Sequence, residues 1–242
     1  MSNSISPPSF EERLETVRAS IARAAAKSGR RSEDVRLVAV TKSRSAETVR
    51  AALAAGLEDF GENKVQEARG KIPEVGAGRW HLIGHLQSNK IKLAVELFDE
   101  IDSVDSIELA REINRRAEEQ AKHLTVLLQV NVAGESQKYG LAPGEIAAAA
   151  EEVNALSHLE LCGLMAIAPL VPQPELARPT FAGLRACRDA TETATGLKLP
   201  ELSMGMSNDF EVAIEEGATS IRLGTALFGP REKKQPAPEE TW

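Results

Sequence analysis

The sequence predicts a single-domain TIM (β/α)8 barrel preceded by one extra helix. Three observations lead there. Eight short apolar or β-branched runs alternate with segments of helical period. The repeat is roughly 25–30 residues, as right-handed βαβ units need. Together the units occupy nearly all of the 242 residues, and a barrel of this kind takes about 250. The competing architecture is an open, doubly wound sheet, which carries a glycine-rich loop after its first strand; Val40-Thr41-Lys42-Ser43-Arg44 is no such loop.

Taken in order, Phe10, Leu14, Val17, Ile21 and Ala25 form one apolar face of a helix over 10–27, and Gly29 ends it. The run 35–40 is short and nearly all apolar, the pattern of a strand buried on both faces. Ser45 caps the next helix, which carries Val49 and Leu53 and stops at Gly56, and a strand follows at 57–61. A helix at 64–71 leads to a strand at 80–84, and a helix at 88–97 to a strand at 100–104. Asp105 and Glu108 suggest a capping box for a helix bearing Leu109, Ile113 and Ala117, and 124–132 is the clearest strand. An alanine-rich helix at 143–156 precedes a strand at 159–165, and a helix at 176–195 precedes one at 201–205. A helix at 209–216, stopped by Gly217, feeds the last strand at 219–224. Pro172-Gln173-Pro174 reads as a loop. The domain is expected to span 1–242, ordered over about 10–230, with short flexible tails that include 233–242.

Twenty-nine basic against 36 acidic residues give a net charge of −7. That disfavours non-specific attraction to nucleic acid or an anionic membrane, so a small anion needs a local positive site. No apolar run approaches the ~20 residues that span a bilayer, and 1–9 lacks the apolar core of a signal segment. Cys162 and Cys187 have no CxxC spacing, so neither a disulfide framework nor a zinc ribbon is indicated, and both read as buried fillers. A cytoplasmic protein is expected, with no nucleic-acid and no membrane partner.

In such a barrel the loops leaving the C-terminal ends of the strands carry the chemistry. Lys42 directly follows the first strand. Desolvated there, its amine would fall below the ordinary pKa of about 10.4 and become the nucleophile that attacks an aldehyde to form a Schiff base; the alternative is a solvated loop lysine. Gly205-Met206-Ser207 after the seventh strand and Gly224-Thr225 after the eighth offer hydroxyls and backbone N–H groups where barrels bind phosphate. Alternatively these glycines only permit tight turns. Together with Lys42 they point to an aldehyde that bears a phosphate. Arg222 stands inside the eighth strand, and an arginine is costly to bury without a partner. Facing the barrel mouth, it would donate to a ring nitrogen and, staying protonated, keep a pyridine nitrogen unprotonated; a structural ion pair with a nearby glutamate is the alternative. His81 and His85 are four apart, but on a strand and turn, where that spacing does not converge on a metal. No metal is expected. His123 and His158 sit at strand starts, and no GxSxG, HExxH or Walker pattern occurs.

Four stretches, in order along nearly the whole chain, resemble one family: 37–42 (Leu-Val-Ala-Val-Thr-Lys), 60–67 (Phe-Gly-Glu-Asn-Lys-Val-Gln-Glu), 80–90 (Trp-His-Leu-Ile-Gly-His-Leu-Gln-Ser-Asn-Lys), and 205–209 (Gly-Met-Ser-Asn-Asp) with 222–229 (Arg-Leu-Gly-Thr-Ala-Leu-Phe-Gly). The family is the pyridoxal phosphate homeostasis proteins. The resemblance implies the barrel domain of alanine racemase standing alone, with pyridoxal 5'-phosphate (PLP) as cofactor. It implies a PLP Schiff base on Lys42, Arg222 facing the pyridine nitrogen, Ser207, Gly224 and Thr225 on the phosphate, and Asn63 near the cofactor. The lysine loop departs from the family, where a Ser-Lys-Thr-Lys-Pro-like pattern is common and here Thr41-Lys42-Ser43-Arg44-Ser45 stands.

The function implied is intracellular PLP homeostasis: a covalent carrier and buffer that passes PLP to apo-enzymes and affects amino-acid and keto-acid balance indirectly, with no established catalytic reaction. One alternative is a weak PLP-dependent amino-acid racemase. That reaction needs a second acid/base, which alanine racemase takes from another domain. The length here is filled by the barrel, leaving Tyr139, the only tyrosine, as the candidate after the fifth strand. A further alternative is a lysine aldolase acting on a phosphorylated sugar. A monomer is expected.

Overall fold

The computed structural model describes residues 7–135, 137 and 139–230; the tail expected at 233–242 lies outside the described residues. Eight parallel strands close into a barrel in chain order, with the last returning to the first. They are β1 (Arg36–Val40), β2 (Asp59–Glu62), β3 (Arg79–Leu82), β4 (Glu100–Val104), β5 (Leu124–Gln129), β6 (Leu159–Met165), β7 (Glu201–Met206) and β8 (Ser220–Leu223). Around them lie α1 (Phe10–Lys27), α2 (Ala46–Ala54), α3 (Val65–Val75), α4 (Ile91–Leu97), α5 (Ile107–Glu119), α6 (Ile146–Asn154), α7 (Arg178–Thr195), α8 (Phe210–Glu215) and α9 (Thr225–Phe228). Every strand read from the sequence is present. None of the described helices is long and apolar enough to cross a membrane.

The main core lies between strands and helices, where buried strand residues such as Ala39, Phe60, Leu82 and Ile101 share one cluster with helix residues such as Val49, Ala68, Ile91 and Ile113. The extra helix α1 begins with the capping box of Ser9 and Glu12, and its Phe10 stacks on Phe228 of α9 with ring centroids 5.5 Å apart.

Some details differ from the sequence reading. The strand expected to reach 132 ends at Gln129, because Asn131 N–H donates to the Leu141 carbonyl at 2.9 Å and the chain turns away. The helices expected from 88, 143 and 176 open with 3-10 turns at Ser88–Lys90, Pro143–Glu145 and Pro174–Ala177. The cap of α5 is Ser106, whose Oγ accepts from Leu109 N–H at 3.2 Å. Asp105 is drawn away from that role by His85, whose Nδ1 lies 2.9 Å from its Oδ2. Cys187 is buried as expected, whereas Cys162 is only partly buried.

The barrel interior carries a buried array of charged residues beside apolar ones such as Val38 and Leu127. At the strand starts Arg36 Nη1 meets Glu201 Oε1 at 3.1 Å and Glu100 Oε2 at 3.5 Å, while Arg79 Nη2 meets Glu100 Oε2 at 3.0 Å. Farther along the strands the fully buried His81 places Nε2 3.0 Å from Asp59 Oδ1 and Nδ1 3.3 Å from Asp102 Oδ1. Burial pulls the His81 pKa down, but its hydrogen bonds to Asp102 and Asp59 and the nearby negative charges override this and lift it to about 10. Burial first, then the Asp102 charge, raises Glu100 to about 7. Ligand atoms of His81, Glu100 and Asp102 lie within 4.8 Å of one another.

A pH dependence follows. Because the folded pKa of His81 lies above its ordinary 6.5, its stabilisation is fully present below about 6.5 and is lost as pH rises through about 10. Thermal unfolding midpoints measured between pH 7 and 10.5 should therefore fall more steeply for the wild type than for His81→Asn. Parallel curves for the two proteins would show that His81 is uncharged in the fold.

Candidate functional site

At the C-terminal ends of the strands a cavity of about 490 Å³ opens, and Lys42, Asn63, Ser207, Arg222, Gly224 and Thr225 all line it. The fold thus brings together all six residues singled out from the sequence. They come from the ends of β1, β2, β7 and β8, as the catalytic face of a barrel requires.

Lys42 sits in a tight turn closed by Arg44 N–H donating to the Thr41 carbonyl at 2.9 Å. The next residue, Ser43, has φ 62°, the left-handed conformation that costs a side-chain-bearing residue about 1–2 kcal/mol. Arg44 fastens the far side of the turn, donating through Nη2 to the Gly229 carbonyl at 2.6 Å with its guanidinium 5.7 Å from the Phe228 ring centroid.

Asn63 is set by a close backbone approach. A Cβ on Gly84 would lie 2.3 Å from the Asn63 carbonyl oxygen, so only glycine lets the two loops meet. The buried Oδ1 of Asn63 has no hydrogen-bond partner among the described residues. Asn63 lines the cavity as a residue, while this oxygen itself is shielded from solvent.

On β7, Gly205 holds φ 92°, and a Cβ there would sit 2.5 Å from that of Ala213. This close packing of β7 on α8 sets the path of the chain into Ser207. The Ser207 hydroxyl accepts from Gly224 N–H at 3.3 Å and from Ala226 N–H at 3.2 Å. Two backbone donors and a hydroxyl therefore converge on one point, with Thr225 between them. Asp209, also on the cavity wall, accepts Met206 N–H at 2.6 Å and fixes the preceding turn; burial raises its pKa, against the Met206 hydrogen bond and the Arg222 charge.

Arg222 is 4% exposed. Its Nη1 donates to Ser203 Oγ at 2.6 Å and its Nη2 to the Ala166 carbonyl at 2.8 Å. Ser203 Oγ in turn donates to Asp102 Oδ2 at 3.3 Å, which joins the arginine to the buried His81 array. Burial lowers the Arg222 pKa and the Asp102 and Asp209 charges oppose it; a guanidinium stays protonated in a protein. The glutamate partner considered from the sequence is not what meets Arg222; a serine, a carbonyl and, behind them, an aspartate do. Asp102 and Ser203 were missed. Their signal was the one that marked Arg222, polar side chains inside barrel strands.

Tyr139 stands apart. Its ring stacks on His85 with centroids 3.7 Å apart, is 56% exposed, and lines a separate cavity of about 160 Å³. Ile167 borders both cavities.

The alanine racemase N-terminal domain family model matches residues 13–232. A pyridoxal phosphate homeostasis protein of Pseudomonas aeruginosa is 44% identical over 228 residues, covering 93% of this chain and 97% of that one. The protein of the same name from Escherichia coli K12 is 40% identical over 231 residues, covering 90% and 95%. Among solved structures, PipY of Synechococcus elongatus with PLP bound is 39% identical, with a TM-score of 0.80 over 91% of this chain and all of that one. An alanine racemase of Clostridium difficile, 14% identical with a TM-score of 0.74, shares the barrel fold over 57% of its own length. On the matched length and identity, this chain belongs to the alanine racemase N-terminal domain family and, within it, to the pyridoxal phosphate homeostasis proteins.

Proposed function

We propose that this chain binds PLP reversibly through Lys42 and serves PLP homeostasis as a carrier and buffer, not as an enzyme. The observation that carries the reading is the convergence of Lys42, Asn63, Ser207, Arg222, Gly224 and Thr225 on one cavity, with the Gly224 and Ala226 N–H groups turned to the Ser207 hydroxyl. PLP, when bound, supplies an aldehyde that condenses with a primary amine and releases water. Lys42 supplies the amine. A phosphate would take the place of the Ser207 hydroxyl as acceptor of the Gly224 and Ala226 N–H groups, with the Ser207 and Thr225 hydroxyls donating to it; a dianion in a protein of net charge −7 depends on such local donors. Arg222 only donates, so toward a pyridine ring it meets an unprotonated nitrogen and leaves the ring a weak electron sink. That suits storage better than carbanion chemistry. Relatives of this chain are named as homeostasis proteins, not as enzymes.

The test uses protein loaded with PLP and freed of excess. It should restore the activity of an apo-form PLP-dependent enzyme, with apo-enzymes as its acceptor partners. Incubated with single enantiomers of amino acids, it should leave them unchanged; exchange at about 1 per second or faster would reject the carrier reading.

A further inference from the structure

We infer that Lys71 and Glu67 of α3 are positioning residues that clamp the two peptide groups on either side of Lys42. The inference rests on the PLP reading above. Lys71 Nζ donates to the Thr41 carbonyl at 2.7 Å, which is the oxygen of the peptide joining Thr41 to Lys42. The Glu67 carboxylate accepts the N–H of Ser43, which belongs to the peptide joining Lys42 to Ser43. The two clamping residues lie one helical turn apart and hold each other, with Nζ 2.9 Å from Glu67 Oε1.

A third group braces them. Glu62, at the end of β2, takes Lys71 Nζ at 2.5 Å and the Thr41 hydroxyl at 2.6 Å on the same oxygen. Lys71 is 6% exposed and Glu62 is fully buried. A lysine sunk to that depth with three acceptors is not a solvated helix face; its ammonium has been taken out of water to meet this turn. The turn needs the help, because Ser43 is held at φ 62° where glycine or asparagine is usual. With both flanking peptides fixed, the start of the Lys42 side chain and its direction into the cavity are set before any aldehyde arrives. Such pre-organisation acts on rate, since misplacement of a reacting group by about 1 Å can cost about 100-fold.

The experiment separates positioning of the amine from general support of the site. Wild type, Lys71→Met, Glu67→Ala and Glu67→Gln are mixed with PLP, and growth of the visible absorption band is followed. Affinity for pyridoxine 5'-phosphate is measured in parallel, because that molecule has the ring and phosphate but an alcohol in place of the aldehyde. Lys71→Met should slow band growth by about 10- to 100-fold. Glu67→Ala should slow it less, and Glu67→Gln should recover most of the rate, since its amide oxygen still accepts the Ser43 N–H. Pyridoxine 5'-phosphate should bind all four within about twofold. Parallel loss of both ligands, or an unchanged rate in the variants, would overturn the clamp. Should Lys71→Met not fold, the Glu67 pair decides the matter alone. A wild type that binds pyridoxine 5'-phosphate and never develops the band overturns the PLP reading itself, a result distinct from failure of the clamp.

Discussion

Lys42→Ala is expected to abolish the visible band that the wild type develops with PLP, while leaving the fold and most of the phosphate affinity in place. The argument is chemical. The band requires a carbon–nitrogen double bond conjugated with the ring, and among the described residues lining the cavity Lys42 is the one primary amine. The phosphate donors are contributed by other elements, from β7 to α9, and do not depend on the lysine. The substitution also leaves the turn intact, since its hydrogen bonds use the backbone of Thr41, Ser43 and Arg44. Absorption spectra with PLP, set beside calorimetric binding of pyridoxine 5'-phosphate, check both halves. A band of wild-type strength in Lys42→Ala would place the linkage on another residue.

Arg222→Met should have the largest effect on stability. Its guanidinium, almost wholly buried, offsets Asp102 through Ser203, with steps of 2.6 and 3.3 Å. Removing one partner of a buried charged array typically costs about 3–5 kcal/mol because the other charge stays behind. At about 2–4 °C per kcal/mol for a protein of this size, the unfolding midpoint should drop by roughly 10 °C. PLP retention should weaken as well, since Arg222 lines the cavity. The double variant Arg222→Met/Asp102→Asn should recover part of the midpoint, because the stranded charge is gone. If the two substitutions add without interaction, Arg222 and Asp102 are not electrostatically coupled.

What could be read from the residues alone, and what could not, follows the same physics. The barrel was legible because strands buried on both faces must be apolar and short, so the runs at β1 and β5 declare themselves. Lys42 and Arg222 were legible for the converse reason, as charges at or inside such runs. Asp102 carried the same signal in β4, but Glu100-Ile101-Asp102 alternates acid with apolar and reads as an ordinary strand with a solvated face. Only closure of the barrel turns that face inward onto His81 and Ser203. Lys71 gave no signal, since a lysine within a helix usually faces water; its burial is a product of where α3 crosses the Lys42 turn. The cap of α5 shows how local rules fail when a neighbour competes: Asp105 fits a capping box and is taken by His85 instead.

The most direct test of the account is to load the protein with PLP, reduce with borohydride, digest, and locate the modified lysine by mass spectrometry. The account predicts one pyridoxyl-phosphate group per chain, on the peptide that carries Lys42. Labelling on any other lysine, or none at all, would contradict it.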